Sequence, residues 1–66
     1  MIDDPDIFRA AKLVIDQREE EAAQFAGGRA DQLLEEGDID GSAVWRRILS
    51  AIEEVLRGRR EGEAVN

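Results

Sequence analysis

Three carboxylates stand close together at Glu36, Asp38 and Asp40, within the stretch Glu36-Gly37-Asp38-Ile39-Asp40-Gly41. Acids at alternate positions with glycine at the sixth resemble the opening of an EF-hand loop, where hard oxygen ligands hold calcium. Such a loop closes with a bidentate glutamate at its twelfth position. Arg47 stands there, a cation in place of a ligand, and Trp45 and Arg46 fall where the loop should still be open. The stretch reads better as a turn between two helices, with Asp38 or Asp40 capping the second. A weak cation-binding turn is the alternative.

Other chemistry is restricted by what the chain lacks. Its 66 residues include no histidine, cysteine, tyrosine or threonine, and its hydroxyls are Ser42 and Ser50. A Ser-His-Asp or Cys-His arrangement cannot be built. Thiolate metal sites and carboxylate–histidine bundle sites are excluded as well. Gly27-Gly28-Arg29 lacks the preceding strand and the Gly-Lys-Ser/Thr ending of a phosphate loop. Glu19-Glu20-Glu21 places its carboxylates in different directions around a helix, so it reads as a solvated segment. No catalytic, cofactor-binding or metal-ligating residue is assigned, and the chain is read as not an enzyme.

Sixteen acidic residues against nine basic ones give a net charge of −7. Such a chain is repelled by nucleic acid and by anionic membranes. Arg46 and Arg47, with Arg57, Arg59 and Arg60, form small basic groups that neighbouring acids offset. No apolar run approaches the roughly 18 residues of a membrane span. Met1-Ile2-Asp3-Asp4 is acidic where a secretory signal would be basic. The expected setting is cytoplasmic, in keeping with the absence of cysteine.

The elements that must position these residues are helical. Asp4-Pro5 suits a helix start, with Asp4 as cap. Ile7, Phe8, Ala11, Val14 and Ile15 then recur at helical spacing. The stripe meets Arg18 and three glutamates, resumes at Ala22, Phe25 and Ala26, and continues to Leu33 and Leu34 before Gly37. A break near Arg18–Glu20 predicts helices over 5–17 and 20–36. One long helix up to Glu36 is the alternative. A further helix is expected over 39–57, where Val44, Trp45, Ile48, Leu49, Ala51, Ile52, Val55 and Leu56 share an arc of about 160°. Gly58 should end it and leave 58–66 as a frayed tail.

The reading is an all-α single domain of three helices, or a two-helix hairpin with a long first arm. Its expected core is Ile7, Phe8, Ala11, Val14, Ile15, Phe25, Leu33, Leu34, Val44, Trp45, Ile48, Ile52 and Val55. A chain this short buries only about 60% of the surface of its unfolded form. Without disulfide or thiolate metal support, oligomerisation is the remaining aid, so a homodimer is expected. Trp45, Leu49, Ile52 and Leu56 are the candidate interface. The function expected is a small non-catalytic interaction or regulatory module with an unidentified protein partner. An acidic mimic or inhibitor of a basic site is the alternative, although acids and arginines are interspersed.

Several stretches together resemble a family of small bacterial helical proteins, common in α-proteobacteria, to which no activity is assigned. They are Asp6-Ile7-Phe8-Arg9, Ile15-Asp16-Gln17, Arg29-Ala30-Asp31-Gln32-Leu33-Leu34, Gly37-Asp38-Ile39-Asp40-Gly41, Val44-Trp45-Arg46-Arg47-Ile48-Leu49 and Ala51-Ile52-Glu53-Glu54. The resemblance covers about residues 6–56 and implies helices and a cytoplasmic setting. Family members typically carry His-Gly after the glutamine, where this chain has Arg18-Glu19. Gly27-Gly28 also replaces larger helix formers.

Overall fold

A computed structural model describes the backbone of residues 4–65 and the side chains of residues 5–58. Helix α1 spans Asp4–Arg18, a 3-10 turn spans Glu19–Glu21, α2 spans Ala22–Glu35 and α3 spans Ile39–Val65. The fold is all-α. The expected cap by the Asp4 side chain lies outside the described residues. Between Arg18 and Ala22 the chain forms neither an open loop nor a continuous α-helix, but a single tight turn.

Glu19 makes that turn with φ of +52°. The left-handed region costs an L-residue with a Cβ about 1–2 kcal/mol. Glycine meets no such cost, though it loses more backbone entropy on folding. Glu19→Gly is therefore expected to stabilise the chain by about 0.5–1 kcal/mol, whereas Glu19→Ala should gain nothing. Urea denaturation of the two variants checks this.

The hairpin turn between α2 and α3 is fixed by backbone hydrogen bonds. Asp38 N–H donates to the Leu33 carbonyl at 2.8 Å, and Gly37 N–H donates to the Leu34 carbonyl at 3.0 Å. This nested pair is a Schellman ending, with Gly37 as the left-handed residue at φ +85°. Asp38 then caps α3, its Oδ1 accepting from Gly41 N–H at 2.9 Å. Gly41 makes room for that carboxylate. A Cβ at position 41 would come within 2.8 Å of Asp38 Cγ.

The cap and the glycine are thus coupled. Asp38→Ala should cost about 1 kcal/mol through loss of the cap. Gly41→Ala gains up to about 1 kcal/mol of helix propensity, but it displaces the capping carboxylate, so its net effect should be near zero. In the Asp38→Ala background the same change should recover the full gain. A double-mutant cycle by urea denaturation is expected to show about 1 kcal/mol of coupling.

Helix α3 is the spine. It packs most extensively on α2, then on α1, while α1 and α2 share little contact. The buried core comprises Ile7, Ala11, Val14 and Ile15 of α1, Ala22, Ala26 and Ala30 of α2, and Ile48, Ala51 and Ile52 of α3. Phe25, Val44, Trp45, Leu49, Val55 and Leu56 pack against it, partly buried. Ser42 is the buried polar residue among the described ones. No buried side-chain polar atom among them lacks a hydrogen-bond partner.

Three expectations are corrected. Phe8 is exposed, because it lies about 60° around α1 from Ala11 and falls at the margin of the packed stripe. Leu34 is exposed as well, about 80° around α2 from Ala26. The expected frayed segment 58–66 is helical through Val65, with Asn66 outside the described residues. Gly58 does not adopt the left-handed conformation that would stop the helix. A glycine that keeps helical dihedrals costs only about 1 kcal/mol against alanine.

Candidate interaction surface

The residues with chemical potential at the turn do structural work. Asp38 caps α3, while Glu36 accepts from Gln32 Nε2 at 3.3 Å on one carboxylate oxygen. Gln32 Oε1 in turn accepts from Arg29 Nη1 at 3.0 Å. Among the described residues, no three carboxylates gather as metal ligands do. The glycine pair lies inside α2. A Cβ at Gly27 would meet Leu49 Cδ2 at 3.8 Å, an ordinary contact, and one at Gly28 would meet open space.

The four candidate interface residues separate into two groups. Ile52 is 0% exposed and belongs to the chain's own core, so it presents no surface to a partner. Trp45, Leu49 and Leu56 are half-buried. At 100° per residue these three fall within about 40° of one another and form one row along α3. Ile52 leans inward from that row.

Each member of the row is held by α2 or its neighbourhood. The Trp45 ring meets Phe25 edge to face, with centroids 5.8 Å apart and planes at 79°. On Phe25 sits the Arg18 guanidinium, 4.2 Å from the ring centroid. A cation over an aromatic face contributes about 0.5–1 kcal/mol at an exposed site. That contact explains how Arg18, exposed and in phase with the apolar stripe, is accommodated. Leu49 lies over Gly27. Leu56 lines a cleft of about 320 Å³ with Glu20, Ala23, Glu53 and Arg57.

Charge is unevenly divided over this framework. Between Ile39 and Gly58, Asp40, Glu53 and Glu54 are matched by Arg46, Arg47 and Arg57. The acidic excess lies elsewhere, notably in Glu19–Glu21 and in the hairpin turn. The row of apolar side chains therefore runs along the electrically balanced part of the molecule.

A second exposed apolar feature was not legible as surface. Leu34 and Ile39 are 46% and 68% exposed and line one cleft with Ser42, Ala43 and Arg46. Leu34 follows Ala30 by four residues, the spacing of the stripe, which suggested core, but each such step drifts about 40° around the helix. The one sequence signal for exposure was Ile39 standing between two aspartates.

No helix among the described residues is long and apolar enough to cross a membrane. Comparison with protein-family models, with curated proteins and with solved structures finds no match for this chain.

Proposed function

We propose that this chain is a small, non-catalytic interaction module that works in the cytoplasm as a homodimer, two copies pairing along α3. The observation that carries the reading is the row of Trp45, Leu49 and Leu56, left half-buried once the single chain has packed. Two further facts support it. The accessible surface is 5003 Å², against about 4,200 Å² for a compact monomer of this mass. The elongated shape, 45 × 23 × 16 Å, accounts for part of that excess. The charge balance along α3 also lets two copies approach there without the repulsion that their acidic surfaces would impose elsewhere. Kinship with the small α-proteobacterial family, carried by Arg29-Ala30-Asp31, Gly37-Asp38 and Val44-Trp45, belongs to the same proposal and brings no activity with it.

A dimer binds its folded partner and not the unfolded chain, so its Tm rises with protein concentration. The wild-type Tm is expected to climb over a concentration series, and Leu49→Gln with Leu56→Gln should flatten that dependence while the helical circular dichroism persists. A wild-type Tm independent of concentration would reject the dimer.

A further inference from the structure

The hairpin tip is separate from the α3 row and differs from it in charge. Its cleft is lined by Leu34, Ile39 and Ala43, with Ser42 and Arg46. Exposed acids adjoin it in the chain: Glu35 and Glu36 follow Leu34, and Asp38 and Asp40 flank Ile39. Arg46 supplies a cation to the cleft, so the four named carboxylates still leave the tip acidic. An apolar centre whose surround carries a net charge of one sign has the character of a recognition surface.

We propose that this tip docks a basic amphipathic segment of a partner protein, one apolar side chain entering the cleft while lysines or arginines meet Glu35, Glu36, Asp38 and Asp40. This rests on reading the chain as an interaction module, but not on the α3 dimer. A second copy is the poorer occupant, because it would set the same four carboxylates against their equivalents, and like charges across an interface oppose association. The turn also suits the task physically. The Schellman ending and the Asp38 cap hold the backbone between Leu34 and Ile39, so little ordering is required on binding.

The test is a 15N chemical-shift titration of the whole chain with a lysine–leucine amphipathic peptide, at low and high salt. Shifts are expected to cluster within residues 33–46, with affinity falling as salt rises. Ile39→Ser and Ala43→Lys, both at exposed positions, should each weaken binding about tenfold or more without changing helicity. Both should leave the concentration dependence of Tm unaltered, which separates this test from that of the dimer. Shifts spread over the acids of α1 and Glu19–Glu21 with no cluster at the tip would overturn the proposal. Equal binding of a glutamate–leucine peptide would do the same, as would unchanged affinity in both variants. If Ile39→Ser halves the solution mass, the tip belongs to a second copy and the proposal fails.

Discussion

Ile52→Ala is expected to remove about 2–5 kcal/mol of stability, whereas Ile39→Ala, thirteen positions earlier on the same helix, should change it by less than about 0.5 kcal/mol. The two side chains are chemically identical, so the difference isolates burial. Ile52 is 0% exposed and is the largest fully buried side chain, while Ile39 is 68% exposed. Truncating Ile52 removes its transfer free energy and leaves a cavity at the centre of a thin core. A chain of this size has roughly 3–10 kcal/mol of stability in total, so the loss would unfold a large share of molecules at 37 °C. Chemical denaturation of both variants measures the contrast. Equal costs at the two positions would mean that α3 is rotated from the packing described.

Ala26→Leu carries the second large effect, in the opposite steric sense. Ala22, Ala26 and Ala30 recur every four residues and are buried, so they form the face along which α2 approaches α3. Alanine is there for its small size. Leucine adds three carbons to a position with 0% exposure, and overpacking of this kind typically costs about 1–3 kcal/mol. The same substitution at Gln24, exposed on α2, should be nearly neutral. Thermal unfolding of the two leucine variants gives the comparison. A neutral Ala26→Leu would show that α2 and α3 do not meet through this face.

Those alanines also show what the sequence could and could not convey. Large apolar residues at helical spacing announced α1 and α3, and Ile7, Ile15, Ile48 and Ile52 were identifiable as core. The hairpin turn was legible because Gly37, Asp38 and Gly41 each carry a local physical role there. Alanine suits a buried or an exposed helix face equally, so the burial of Ala22, Ala30 and Ala51 depends on the partner helix. For the same reason large residues were assigned to the core where alanine fills it, and Phe8 and Leu34 lie outside. Nothing in a glutamate marks the left-handed backbone of Glu19. Helical phase put Trp45, Leu49, Ile52 and Leu56 on one arc of α3. Three of them are half-buried, but a shift of about 40° turns Ile52 inward, and only the packing of α2 on α3 fixes that angle.

The central claim is that two copies pair along α3, and light scattering on a size-exclusion column tests it most directly. Loaded over a range from about 1 μM to about 1 mM, the protein should move by mass action between the chain mass and twice that value. At the upper end it is expected to show twice the 7.4 kDa of one chain, and the paired Leu49→Gln and Leu56→Gln substitutions should return it to 7.4 kDa. A wild-type mass that stays at 7.4 kDa throughout would contradict the account.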